Sequence, residues 1–269
     1  MTSSRSAPAT RGTASAAVDG PIVQLTGVRK TFGGVAALDG LDLTVARGTV
    51  TGLIGPNGAG KSSAFNIITG VVSPDEGSVR IRGEEITRRS LLETAHKGVA
   101  RTFQAPRGFS SMTVRQNLLV VPHTKHEGLL RSLLNGDRPR KSAVERAAQV
   151  MAQLGLEQLA GGPYAELSAG ELRLVEIGRH MMRDIDLLLL DEPTAGVTPA
   201  MQERIADSVR HLNDSGITVL IVEHNLKFVF ELASEISVMV KGRVIRRGTP
   251  GEVQSDPEVI AAYLGGEAG

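Results

Sequence analysis

The chain has 269 residues, 41% of them hydrophobic and 22% charged, with a net charge of +1. That length suits one large α/β domain or a core with an inserted subdomain, and the near-neutral charge argues against a global affinity for nucleic acid or a membrane surface. The absence of cysteine excludes disulfides and thiolate metal sites, no apolar run reaches the ~20 residues of a spanning helix, and 3% aromatics without Trp require an aliphatic core.

Residues 1–20 are rich in Ser, Ala and Thr, carry Arg5 and Arg11, and lack the apolar stretch of a signal peptide. They are expected to be a disordered tail, a transit peptide being the weaker alternative. Residues 22–25 are expected as the first strand. Phe32 stands before the pair Gly33-Gly34, where it either stacks on a nucleobase or anchors a hairpin in the core. Residues 41–45 alternate as a half-buried strand, and residues 50–54 read as a buried one.

Gly55-Pro56-Asn57-Gly58-Ala59-Gly60-Lys61-Ser62 follows, with Ser63 opening the body of a helix. Gly, four residues, Gly-Lys-Ser is the phosphate-binding loop pattern. Glycines let backbone N–H groups curl around an anion, and the N-terminus of the helix faces the phosphates. Lys61 supplies a point charge to the β- and γ-phosphates, and Ser62 offers a hydroxyl to Mg²⁺.

A turn at residues 73–77 and a strand at 78–83 come next, then a helix over 91–97 stopped by Gly98. Residues 99–103 read as a strand ending at Gln104. Beyond it the character becomes helical: 113–121 with Val114, Leu118 and Leu119 on one face, and 142–154 with Val144, Ala147, Ala148 and Met151 on one face. His123 and His126 lie in the polar, basic connection between them and lack the further ligands of a metal site, so a solvated loop is the favoured reading.

Ser168 and Glu171 form a capping box at the start of the next helix, whose free N–H groups and positive dipole end suit a second phosphate. Leu187-Leu188-Leu189-Leu190 reads as a buried strand with Asp191 and Glu192 at its carboxyl end, where open α/β sheets bind ligands. Asp191 is placed to complete the Mg²⁺ site, and Glu192 to orient and deprotonate an attacking water. Thr198-Pro199 opens another helix with a capping hydroxyl. A buried strand over 216–222 ends at Glu223-His224, so His224 falls on the sheet edge of Lys61 and Asp191, within reach of a γ-phosphate. A hairpin turns at Lys241-Gly242, and a last helix spans 257–264.

In this order the pieces resemble the ATP-binding cassette ATPases over nearly all of residues 22–266. The resemblance identifies residues 55–62 as the phosphate loop, Gln104 as the glutamine loop, residues 167–171 as the signature motif, residues 187–192 as the Walker B strand and catalytic Glu192, His224 as the switch histidine and Phe32 as the adenine-stacking aromatic. It implies an α/β P-loop (RecA-like) core with a small antiparallel β-subdomain and an inserted helical subdomain. The core would take residues 21–104 and 186–266, and the helices 105–185. It implies ATP and Mg²⁺ as ligands, with Ser62, Gln104 and Asp191 at the metal and Lys61, Gln104, Glu192 and His224 in the hydrolytic machinery. It also implies a head-to-tail dimer, homo- or heteromeric, in which Ser168 and Gly170 of one subunit meet the nucleotide on the other.

Residues 101–104 and 112–118, with the tail at 248–250 and 262–265, look closest to ATPase subunits of branched-chain amino-acid importers and their urea and amide relatives; lipopolysaccharide-export ATPases share part of that tail. Membrane permease subunits, docked through the helical subdomain at the cytoplasmic face of the membrane, and an extracytoplasmic solute-binding protein are the implied partners; nucleic acid is not. The signature commonly has Gly where Ala169 stands and Gln where Glu171 stands, and the following loop usually has Asp in place of Thr198. These departures motivate a rival reading as a nucleotide-binding regulatory subunit, against which Glu192 and His224 stand. A repair or translation cassette would bring coiled-coil insertions or a second cassette, and a P-loop kinase would have no use for the signature stretch.

Overall fold

The computed structural model describes residues 20–103, 106–121 and 141–264. Gln104, His123 and His126 lie outside these described residues. In chain order, β1 (Val23–Phe32) and β2 (Val35–Val45) precede β3 (Val50–Ile54) and α1 (Lys61–Ile68). Then come β4 (Glu76–Ile81), β5 (Glu84–Glu85), α2 (Leu91–His96) and β6 (Val99–Arg101). Among the described residues, α3 (Val114–Leu119), α4 (Lys141–Leu154) and α5 (Ala169–Met181) follow. The chain continues with β7 (Leu187–Asp191), α6 (Pro199–Asp214), β8 (Thr218–Val222) and α7 (Leu226–Leu232), and finishes with β9 (Glu235–Val240), β10 (Arg243–Gly248), α8 (Pro250–Gln254) and α9 (Pro257–Leu264).

The strands make two sheets. One is antiparallel, in the order β2-β1-β4-β5; the other runs β10-β9-β3-β8-β7-β6. The second is parallel from β9 to β6, with β10 added antiparallel at its edge. Every residue of β3, β7 and β8 is buried, as expected of parallel strands covered on both faces. Strand periodicity sorts their side chains into two cores. Leu188, Leu190, Val219 and Ile221 join the cluster that contains Val114, Leu118, Val150, Met151, Leu174 and Ile177 of α3, α4 and α5, and Val209 of α6. Leu187, Leu189, Leu220 and Val222 pack instead with Phe65 and Ile68 of α1 and with the antiparallel sheet through Val23, Leu25, Leu41 and Val79. Each buried Leu contributes about 1.5–3 kcal/mol of transfer free energy, so the four-leucine run of β7 holds both layers together.

Several expectations are modified. The first strand runs on through Phe32, so β1 and β2 form one long hairpin about Gly33 and Gly34, which adopt φ 54 and 84. The strand expected over 99–103 stops at Arg101, although the Thr102 N–H still donates to the Leu189 carbonyl at 2.9 Å. The buried face of α4 is Ala143, Ala147, Val150, Met151 and Leu154; Val144 and Ala148 are exposed. The apolar pattern there admits both phases, and packing against α5 selects one. Thr198 occupies the cap position before Pro199, yet its hydroxyl makes no capping hydrogen bond.

Candidate active site

Three loops meet at one edge of the parallel sheet, and strand register puts them there. Leu53 of β3 and Asp191 of β7 are both partners of Val222 in β8. The segments that follow them, from Gly55, Glu192 and Glu223, therefore leave the sheet side by side at the carboxyl ends of adjacent strands.

The first loop is shaped as an anion cradle. Gly55 and Gly60 have φ of 152 and 101, and a Cβ at either would strike a backbone carbonyl oxygen, of Met239 and Ala37 respectively. Only glycine fits there. Gly60 caps α1 without a side-chain hydrogen bond, and no acid stands in the first turn, which leaves the helix N-terminus open to an anion. The Lys61 ammonium donates to the carbonyls of Gly55 at 2.7 Å and Pro56 at 3.0 Å. Burial pulls its pKa below the ordinary lysine value, a shift that the Glu192 charge opposes. Ala59 is buried in the loop, while Asn57, Gly58 and Ser62 are exposed. Behind the loop, burial pushes the Tyr263 phenol of α9 up to about 12, against a backbone hydrogen bond from Gly55.

The second and third loops are locked to each other. The Glu192 N–H donates to the Val222 carbonyl at 2.8 Å, and Glu192 adopts φ 47, the left-handed region that a non-glycine residue enters at a cost. His224 Nε2 lies 3.1 Å from Glu192 Oε1. Buried Glu223 accepts from the Thr194 N–H at 2.6 Å and hydroxyl at 2.5 Å through one oxygen, and from the N–H groups of His224 and Asn225 at 2.9 and 3.1 Å through the other. One carboxylate thus pins the loop after Glu192 to the loop that carries His224. Asp191 is 6% exposed, and its Oδ2 accepts from Arg101 at 2.7 Å. The Ser62 hydroxyl and the Asp191 carboxylate are hard oxygen donors. No group of three or more His, Cys, Asp or Glu side chains forms a metal cage among the described residues. That donor set fits Mg²⁺ held largely by phosphates and water.

The other expected site residues divide. Phe32 is 46% exposed, so it does not anchor a hairpin core; the Lys30 ammonium sits 5.6 Å from its ring centroid. Ser168 and Gly170 begin α5. The capping box is formed: the Ser168 N–H and hydroxyl both donate to Glu171 Oε2, at 2.8 and 2.6 Å. The Ser168 hydroxyl bond is the largest cause holding the Glu171 carboxyl below the usual range. Gly170 is buried, and a Cβ there would strike Met201 of α6. Glu223, Arg101 and the buried pair Arg173–Glu176 are the residues that sequence reasoning missed as organisers of this region. The Glu176 carboxylate accepts from the Phe103 N–H at 3.0 Å and pairs with Arg173 at 2.8 Å, which ties α5 to the backbone just before Gln104. An arginine and an acid three residues apart among Leu172, Leu174, Val175 and Ile177 were the available signal.

The chain belongs to the ABC transporter family: that family model matches residues 38–195, and the chain is an ATP-binding cassette ATPase. A second model, described as branched-chain amino acid ATP-binding cassette transporter, matches residues 243–269. The chain is 39% identical to a probable branched-chain amino acid transport ATP-binding protein LivG of Methanocaldococcus jannaschii, covering 91% of this chain and 97% of the relative. Identity is 38% to the high-affinity branched-chain amino acid transport ATP-binding protein BraF of Pseudomonas aeruginosa, over 91% and 98%. The fold is similar to the ADP conformation of MJ1267, an ATP-binding cassette of an ABC transporter, with a TM-score of 0.79 and 39% identity over 91% of this chain and 99% of that one. It is also similar to a dimeric post-hydrolysis state of the cassette MJ0796 bound to ADP and Pi, with a TM-score of 0.70 and 25% identity over 85% and 98%.

Proposed function

We propose that this cassette powers uptake of branched-chain amino acids, or a related small polar solute, through separate permease subunits at the cytoplasmic face of the membrane. The observation that carries the hydrolytic half is the convergence of Lys61, Asp191 and the Glu192–His224 pair at one sheet edge beside an open helix N-terminus. Lys61 would leave the carbonyls of Gly55 and Pro56 for the β- and γ-phosphates, and the cradle N–H groups of residues 55–63 would hold them. Phe32 would stack on the adenine. Ser62, Asp191 and Gln104 would hold Mg²⁺, which supplies charge neutralisation between the phosphates. Glu192 would take the proton of the attacking water, with His224 holding the carboxylate and the γ-phosphate in place.

The nucleotide site is half of a composite. Ser168 and Gly170 of a second cassette would cover the γ-phosphate; the dimeric relative bound to ADP and Pi supports the pairing of cassettes. ATP bridging would favour closure by binding both surfaces, and hydrolysis would release them. We assign residues 21–104 and 186–266 to the catalytic core and 105–185 to the helical subdomain. The exposed side chains of Phe109 and Val120, with Arg107 stacked 4.4 Å from the ring centroid of exposed Phe103 at the adjoining edge of the core, support permease docking there. No described helix is long and apolar enough to cross a membrane. Separate spanning subunits, and a solute-binding protein outside, would complete the system. The Glu192–His224 pair favours a hydrolysing subunit over a regulatory one. The test is leucine, isoleucine and valine uptake in cells deleted for this chain and complemented with it or with Glu192→Gln. Uptake restored by the native chain alone supports the proposal; unchanged uptake on deletion removes the solute assignment.

A further inference from the structure

Arg101, at the end of β6, makes contacts that the hydrolytic scheme leaves unused. Its Nη2 donates to Asp191 Oδ2 at 2.7 Å and its Nη1 to Asn66 Oδ1 at 2.6 Å, while the guanidinium lies 5.5 Å from the Phe65 ring centroid. The two charged side chains are only 14% and 9% exposed. The partners belong to the two elements that carry the candidate metal ligands. Asp191 ends β7, and Asn66 stands four residues after Ser62 on the same face of α1.

A carboxylate at a strand end rotates about its terminal torsion unless something holds it. Here one oxygen is taken by a planar donor, and that donor is itself fixed by a second hydrogen bond and an aromatic face. Asp191 Oδ1 would then be the oxygen offered to an ion. The planar guanidinium offers each partner a separate nitrogen in a fixed fork, whereas a lysine ammonium carries all its donors on one nitrogen at the end of a flexible stem.

We propose that Arg101 is a positioning residue for the Mg²⁺ site, bridging Asn66 of α1 to Asp191 of β7 so that both ligand-bearing elements are held in register. The inference rests on the reading of Asp191 as a metal-site residue. An ion pair that merely supports the fold would change stability and leave metal affinity alone, so metal affinity is the discriminating measurement.

The experiment uses the full chain loaded with ADP and titrated with Mn²⁺, followed by the paramagnetic signal of the free ion. Arg101→Gln should weaken Mn²⁺ binding about 10-fold, within the range usual for groups that orient metal ligands. Arg101→Lys should fail to restore it, and Asn66→Ala, which leaves the Arg101–Asp191 pair in place, should fall between Arg101→Gln and the native chain. ADP affinity in excess chelator should be the same in all of them. Native Mn²⁺ affinity in both Arg101→Gln and Asn66→Ala, full recovery in Arg101→Lys, or tighter binding in Arg101→Gln would overturn the inference. If Arg101→Gln does not fold, Asn66→Ala and Arg101→Lys decide between the same outcomes. Asp191→Asn separates the two levels: if it alone weakens Mn²⁺ binding the positioning role is wrong, and if it too binds as the native chain does the metal-site reading is wrong.

Discussion

Two helix starts, those of α1 and α5, use the same orphan N–H groups in opposite ways. α1 begins at Gly60 with no capping side chain and no acid in its first turn. α5 begins with Ser168 and Glu171 closing on each other, which places a carboxylate at its positive end. The first end is unsatisfied by its own chain and lies beside Lys61 and the Glu192–His224 pair. The second has the N–H groups of Ser168 and Glu171 paired within the box, and the nearby charge of Arg204 acts on the Glu171 carboxylate. An uncapped helix start flanked by a lysine is poised for a strong anion; a capped one can only add to a phosphate that something else holds. On the proposed function, the difference would let one chain offer a primary and a secondary surface for the same ligand.

The comparison can be broken at either end. Glu192→Gln should lower ATP turnover about 100- to 10,000-fold with nucleotide binding retained, the usual span for a lost general base. Native-like steady-state turnover in that variant would remove Glu192 from the chemistry. Lys61→Ala deletes the cation of the open end, and equilibrium dialysis should report ATP binding about 10- to 100-fold weaker, the cost of losing charge-assisted hydrogen bonds. At the capped end, Ser168→Ala should cost about 1 kcal/mol in chemical denaturation with ATP binding to the isolated chain unchanged. The smallest effect is expected for Glu171→Gln, which keeps a hydrogen-bonding cap and removes the charge. ATP-driven self-association of a Glu192→Gln background, read by sedimentation, should tighten about 2- to 5-fold, the scale of one charge at a helix end. Weaker association would mean that the carboxylate is an asset to the closed state.

Much of the site was legible in the sequence because its pieces are contiguous. The spacing of Gly55, Gly60, Lys61 and Ser62 describes a backbone shape, and the leucines before Asp191 describe a buried strand, so local chemistry alone predicts both. The capping box of Ser168 and Glu171 was legible for the same reason. The phase of α4 was not, since Ala143 and Val144 are both apolar and packing against α5 put the smaller one inside. Phe32 was left with two readings, and its exposure on the hairpin removed one. Thr198 had the right residue type for a cap and the right neighbour in Pro199, yet its hydroxyl makes no such bond, because a propensity does not fix a rotamer.

By itself the sequence determined the covalent order of a phosphate cradle, a carboxylate pair and a histidine, and the periods that make strands and helices of the segments between them. Tertiary structure decided everything that depends on residues far apart in the chain. The register of β3, β8 and β7 brought Lys61, Glu192 and His224 to one edge. It also let Glu223 bind the loop at Thr194, and the pairing of β6 with β7 put Arg101 between Asn66 and Asp191. Hydrogen bonds and ion pairs act over a few ångströms of space, and a linear pattern carries no information about such separations until the sheet has paired its strands.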